Sequence, residues 1–211
     1  MKISEIFTSI QGESSFAGLP CTFIRLTGCN LRCQYCDTTY AFEGGVELDL
    51  EQIVSRIRES GIPLTELTGG EPLLQEESYI LSSRLLNEGY TVLLETNGSL
   101  SLDRVDSRVV KIMDMKCPGS GMSDHMDFTN MKYLSRTDEV KFVIGDRADF
   151  DWALNIIDDY ALLQTCKVVI SPLQSKLEAQ TAARWILEEK LLVRLQLQLQ
   201  KIIWPTKDRG V

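Results

Sequence analysis

Histidine is nearly missing from this chain: among 211 residues there is one, His125. Basic side chains are also short, 22 Lys and Arg against 30 Asp and Glu, for a formal net charge of −8. Phosphate backbones and anionic lipid surfaces are gripped by clusters of Lys and Arg, so no nucleic-acid or membrane partner is expected. No apolar run approaches membrane-spanning length, and Met1-Lys2-Ile3-Ser4-Glu5 lacks the apolar segment of a signal peptide. The expected location is cytoplasmic. Internal repeats, low-complexity tracts and long linkers are also lacking, and the length suits one compact domain over residues 1–211. Six cysteines in an intracellular chain of this size do not read as a disulfide framework.

What is present is a recurring strand, turn and helix. Thr22 to Leu26 reads as the first strand and runs into a cysteine-bearing loop. Asp49 with Gln52 forms a capping box for a helix whose stripe is Leu50, Ile53, Val54 and Ile57, ending at Gly61. Leu64–Thr68, Thr91–Glu95, Val109–Met113, Val140–Ile144 and Lys167–Ile170 are further strands. Helices are predicted from about Leu74 to Glu88, near Phe150 to Tyr160, and from a second capping box, Ser175 with Glu178, to about Lys190. Lys116 to Thr129 reads as a loop. A last strand alternates, with Val193, Leu195, Leu197 and Leu199 on one face and Arg194, Gln196, Gln198 and Gln200 on the other. The pattern is α/β. About six units are too few for a closed eight-fold barrel, so either an open partial (β/α) barrel of parallel strands covered by helices or a doubly wound sheet fits. In both, chemistry belongs at the carboxyl ends of the strands.

Cys29-Asn-Leu-Arg-Cys33-Gln-Tyr-Cys36 is a C-x3-C-x2-C motif at one such strand end. Three thiolates this close can wrap one face of a metal centre. A structural zinc site wants four protein ligands, and no fourth lies nearby, His125 being far along the chain. A simple electron-transfer cluster is also expected to use four cysteines. A [4Fe–4S] cluster with one open iron accounts for three. Zinc completed by a remote residue such as Cys117, and three unrelated core cysteines, are the competing readings. Cys21, Cys117 and Cys166 are otherwise expected to be small buried apolar residues.

The cysteine motif, with Tyr35 before its last Cys, and Thr68-Gly69-Gly70-Glu71-Pro72 resemble the signatures of the radical S-adenosylmethionine superfamily. Five further segments resemble one family within it, the 7-carboxy-7-deazaguanine synthases. They are Ser9-Ile10-Gln11-Gly12-Glu13, Cys36-Asp37-Thr38-Thr39-Tyr40, Glu95-Thr96-Asn97-Gly98, Asp114 to Gly121 and Leu197 to Trp204. The resemblance implies an open partial barrel and a [4Fe–4S] cluster on Cys29, Cys33 and Cys36. It also implies S-adenosylmethionine chelated to the open iron and cleaved to a 5′-deoxyadenosyl radical. The reaction implied is ring contraction of 6-carboxy-5,6,7,8-tetrahydropterin to 7-carboxy-7-deazaguanine with loss of ammonia, a step of 7-deazapurine (queuosine) biosynthesis.

By the same resemblance Tyr35, Asp37, Gly70, Lys116, Ser171 and Gln174 hold the cofactor. Ile10, Gln11, Gly12, Glu13, Arg25 and Thr68 line the substrate, and Thr38 is a ligand of Mg²⁺. A homodimer and a flavodoxin-like or ferredoxin-like electron donor are implied as partners. One departure is Gln200, where the family usually carries a His that contacts substrate; Gln can hydrogen-bond but carries no proton at neutral pH. The rival enzyme is an activating enzyme for a glycyl-radical protein, and the rival of another class is a non-catalytic iron–sulfur redox protein.

Arg25 can also be read from the strand alone. Alternation puts it on the face of Phe23, opposite Ile24 and Leu26, where a buried guanidinium needs an anion. The candidates are Glu13 or Glu71 of the protein, or the 6-carboxylate of the pterin.

Overall fold

The computed structural model describes every residue except Asp208. Nine strands form one sheet: β1 (Lys2–Ile10), β2 (Pro20–Leu26), β3 (Val46–Glu47), β4 (Leu64–Gly69), β5 (Thr91–Thr96), β6 (Val110–Met115), β7 (Glu139–Ile144), β8 (Lys167–Pro172) and β9 (Arg194–Leu195). Their order is β3-β1-β2-β4-β5-β6-β7-β8-β9. From β2 to β9 every neighbouring pair is parallel, while β1 runs antiparallel to both β2 and β3. The sheet is an open partial barrel, one of the two arrangements the pattern allows and the one the resemblance implies. The helices are α1 (Leu50–Ser60), α2 (Glu77–Asn87), α3 (Arg147–Asp159), α4 (Leu162–Thr165), α5 (Ala179–Glu188) and α6 (Leu199–Ile203).

Local chemistry sets several of these boundaries. The Asp49 side chain accepts from the Gln52 N–H and the Gln52 side chain accepts from the Asp49 N–H, closing the expected capping box on α1. Gly61 ends that helix in the left-handed conformation. Helix faces bearing Ile53, Val54, Ile57, Leu81, Leu85, Phe150, Ala153 and Ile157 pack on Ile24, Leu26, Leu67, Leu94, Met113 and Phe142 of the strands, in one continuous core. A smaller cluster of Cys21, Phe23, Leu64, Leu93 and Ile112, with Phe7 and Phe16 against it, plugs the other side of the sheet. Alternation along the strands then leaves the carboxyl ends free for polar side chains.

Four expectations are corrected. A strand, β1, precedes the first one predicted; its residues are mostly half-buried, so its apolar period is blurred. The segment read as a loop, Lys116 to Thr129, contains two short 3-10 turns, Pro118–Ser120 and Ser123–His125, and runs into a third, Phe128–Tyr133. Helix α5 starts at Ala179 behind Glu178 with no side-chain cap, so the second capping box does not form. The last strand stops at Leu195, and the chain turns into α6. Its faces are also inverted: Gln196 is buried, whereas Leu195 and Leu197 are exposed. Gln196 is drawn inward by two bonds: its Oε1 accepts the Ser14 N–H, and its backbone N–H donates to the Ile170 carbonyl.

Candidate active site

A cavity of about 580 Å³ opens at the carboxyl ends of the strands. All sixteen residues singled out from the sequence line it: Ile10, Gln11, Gly12, Glu13, Arg25, Cys29, Cys33, Tyr35, Cys36, Asp37, Thr38, Thr68, Gly70, Lys116, Ser171 and Gln174. They come from six separate stretches of chain, and the sheet brings them together.

The rim carries the three thiols on the loop after β2. Each is half-buried, while Cys21, Cys117 and Cys166 are buried packing residues. Burial pushes the thiols of Cys33 and Cys36 up, and a bound metal would favour their thiolates. Among the described residues no three Cys, His, Asp or Glu side chains are arranged around a single ion. A cubane cluster, in which each thiolate binds its own iron, suits three spaced sulfurs. The loop passes directly over Gly70, where a Cβ would collide with the Gly28 carbonyl and the Cys29 Cβ. Glycine there is a consequence of that crossing.

The floor is ionic. Lys141 on β7 reaches Glu13 (2.9 Å), Glu95 (2.5 Å) and Asp114 (3.4 Å), which come from the loop after β1, from β5 and from β6. Lys116 also pairs with Asp114 at 2.9 Å. Burial opposes the charge on Lys141, but the three carboxylates outweigh it and hold its pKa well above the usual value. Burial likewise raises Asp114 and Glu13, yet Lys116 and Lys141 for the first and Lys141 with Gln198 for the second leave both below the carboxylate range. Glu66 on β4 makes no ion pair among the described residues. Burial, then Glu95 and Glu13, push it well above the usual range, so it holds its proton more tightly than an ordinary carboxyl. Gln11 Nε2 donates to Glu66, and Gln11 Oε1 accepts the Glu13 N–H.

Arg25 does face the cavity beside Phe23, as alternation predicts. Its protein partner is neither Glu13 nor Glu71. It is Glu5 on β1, which accepts from Nε at 2.8 Å and also from the Tyr40 hydroxyl. No other hydrogen bond leaves the guanidinium among the described residues, so its two terminal nitrogens are uncommitted. Glu71 lies elsewhere, fully buried under the end of β5.

The segment after β9 covers one wall. Gln198 and Gln200 both donate to Glu13 Oε1 (2.8 and 2.9 Å), and Lys201 pairs with Asp37 at 2.8 Å. Gln200 approaches so closely that a Cβ on Gly12 would overlap its amide. Its Oε1 is buried without a partner. Gln200 is thus a cavity residue and not part of a solvated polar face. Thr38 Oγ1 donates to Asp37 Oδ1 at 3.0 Å. Missing from the sequence-based set were Glu66, Glu95, Asp114 and Lys141. The signal existed: each is a charge at the cavity-facing position of a strand, the argument that found Arg25.

Comparison with known proteins fits this arrangement. The Radical SAM superfamily pattern matches residues 23–170. The chain belongs to that superfamily, and with it come the [4Fe–4S] cluster and S-adenosylmethionine. It is 46% identical to the 7-carboxy-7-deazaguanine synthase of Chlorobaculum tepidum, over 100% of this chain and 97% of the relative. It is 42% identical to that of Koribacter versatilis, over 100% of both. Within the superfamily, the chain is a member of the 7-carboxy-7-deazaguanine synthase family. The crystal structure of QueE from Escherichia coli superposes with a TM-score of 0.78, covering 93% of each chain at 21% identity, which shows the shared fold. Among the described residues no helix is long and apolar enough to cross a membrane.

Proposed function

We propose that this chain, acting as one radical S-adenosylmethionine domain, contracts the ring of 6-carboxy-5,6,7,8-tetrahydropterin to 7-carboxy-7-deazaguanine with loss of ammonia. The observation that carries the proposal is the sharing of one cavity by the three cysteines and an Arg with two free nitrogens. When bound, the cluster and S-adenosylmethionine supply a hydrogen-abstracting 5′-deoxyadenosyl radical. Everything else is positioning by the chain's own groups. Arg25 grips the 6-carboxylate through its terminal nitrogens and so aims C6 at the cofactor. Gln11, Gly12, Glu13, Ile10 and Thr68 line the rest of the substrate, and the orphaned Gln200 oxygen is available to a substrate N–H. Gln200 does this without the proton chemistry of a His.

Tyr35, Asp37, Gly70, Lys116, Ser171 and Gln174 hold the cofactor. Burial opposes the charge on Lys116, but Asp114 beside it outweighs that and raises its pKa, keeping it charged for a carboxylate or hydroxyl partner. Thr38 would give one oxygen to Mg²⁺, an ion that suits a lone hydroxyl because it commonly keeps several waters. The enzyme is a carbon–nitrogen lyase that works in the cytoplasm as a homodimer, reduced by a flavodoxin-like or ferredoxin-like protein.

The test is an anaerobic assay of reconstituted protein with the carboxy-pterin, followed by mass spectrometry. The expected outcome is 7-carboxy-7-deazaguanine and ammonia, with S-adenosylmethionine recycled. Stoichiometric consumption of S-adenosylmethionine with no deazaguanine would instead support an activating enzyme and overturn the proposal.

A further inference from the structure

Two motif residues with no role in the account above, Glu71 and Asn97, meet at a single amide. Glu71 ends the Gly-Gly-Glu stretch after β4, and Asn97 follows β5. The buried Glu71 carboxylate turns away from the cavity and accepts from the Asn97 N–H (2.7 Å), the Thr96 hydroxyl (2.9 Å) and the Leu73 N–H (3.0 Å). Three donors on one carboxylate fix the corner at Thr96 and Asn97.

The side chain of Asn97 is then oriented by its own bonds. It is 6% exposed. Its Oδ1 accepts from both the N–H (3.0 Å) and the hydroxyl (2.6 Å) of Ser99. With the carbonyl side taken by two donors, the amide cannot be flipped without losing both bonds. Its Nδ2 therefore points at Asn30 Oδ1 (3.1 Å) and at the sulfur of Cys29 (3.8 Å). Cys29 also accepts the Leu31 N–H, at 3.4 Å. Among the described residues Asn97 is the one side chain that donates to any of the three motif sulfurs.

Adding an electron to an iron–sulfur cluster adds negative charge that spreads onto its thiolates. A donor aimed at such a sulfur stabilises the reduced state more than the oxidised one and raises the potential. Burial matters here, since water cannot take the amide's place.

We propose that Asn97 is a positioning residue that eases reduction of the cluster by donating Nδ2–H to Cys29, with Glu71 and Ser99 holding it in that orientation. This rests on Cys29 being a cluster ligand. The role is electrostatic and separate from binding S-adenosylmethionine or substrate.

The experiment is a potentiometric titration, followed by electron paramagnetic resonance, of anaerobically reconstituted wild-type, Asn97→Ala and Ser99→Ala proteins, with iron content measured first. Asn97→Ala should keep its iron and become harder to reduce, by roughly tenfold in the reduction equilibrium, about 59 mV for one electron. Ser99→Ala, which removes the hydroxyl that holds Asn97 Oδ1 and accepts from Asn30 Nδ2 but keeps the Ser99 N–H bond, should shift the same way by less. After exchange into D2O, a deuteron coupled to the wild-type cluster should be lost in Asn97→Ala. An intact cluster at the wild-type potential in both variants overturns the proposal. Loss of iron from Asn97→Ala with an unmoved potential in Ser99→Ala also overturns it, by assigning Asn97 to holding the loop. Full iron in Cys29→Ala would remove the ligand reading itself, a result distinguishable from either.

Discussion

On the helix-covered face of the sheet, Ile24, Leu67, Leu94, Met113 and Phe142 pack among apolar side chains, whereas their immediate neighbours along the same strands, facing the cavity, are Arg25, Glu66, Glu95, Asp114 and Lys141. The two faces are equally part of the strands but are stabilised differently. On the covered face the hydrophobic term acts residue by residue, in proportion to the area each removes from water. On the cavity face a single residue has little meaning alone, because Lys141 serves three carboxylates at once. A charged interior of this kind contributes little net stability and is kept for what it binds.

The sharpest break between regions is at the rim. Changing Cys29, Cys33 or Cys36 to Ala should abolish the cluster, as iron analysis and visible absorption would show. The same change at Cys21, Cys117 or Cys166 should leave iron content unaltered. Loss of iron from the second set would erase the distinction between ligand and packing cysteines.

Next come two adjacent residues on opposite faces. Phe142→Ala should cost about 3–5 kcal/mol by leaving a cavity. Lys141→Met should cost a similar amount, about 3–5 kcal/mol, by stranding buried carboxylates. Only pH tells them apart. Lys141 holds Glu13 and Asp114 below the ordinary carboxylate range, so the stability they contribute is present above that range and lost as pH falls through their folded values. The deficit of Lys141→Met should therefore shrink on acidification, while that of Phe142→Ala stays constant. Denaturant titrations at neutral and acid pH check this, and parallel pH curves would refute it.

Arg25→Ala should reduce kcat/KM for the carboxylated substrate by roughly 2–5 kcal/mol. It should matter little for an analogue without the carboxylate. Arg25→Lys should recover part of the loss. An equal loss with both substrates would make Arg25 a purely structural partner of Glu5. The smallest effect is expected at Glu66. Its folded pKa lies above the ordinary range, so its favourable contribution is complete below that range and is lost as pH rises through the folded value. Glu66→Gln should flatten that decline in a plot of melting temperature against pH; an unchanged slope would place the titration elsewhere.

Reading from sequence worked where a local rule and a tertiary need agreed. Asp49 with Gln52 capped α1, and strand alternation alone turned Arg25 into the cavity. It failed where the partner was distant. Glu5 was invisible as the answer to Arg25 because β1, half-buried and lacking a clean period, was not recognised as a strand. Gln196, Gln198 and Gln200 alternate as one polar face of the last predicted strand, yet they serve Ser14 and Glu13, which are more than 180 positions away. No local pattern encodes such a need.

That separation also has a kinetic meaning. Leu199 N–H donates to the Gly12 carbonyl at 3.0 Å, and Gln198 and Gln200 meet Glu13, so one wall of the cavity joins opposite ends of the chain. Closing the longest loop of the molecule is entropically the least favourable contact to make early. The successive parallel strands can pair first, each needing only a short crossover. The wall carrying α6 then docks last and opens first, so amide exchange at Leu199 should outrun that of every core strand. The catalytic cavity is thus complete only when folding is complete, and a partly folded chain has no finished pocket in which to start radical chemistry.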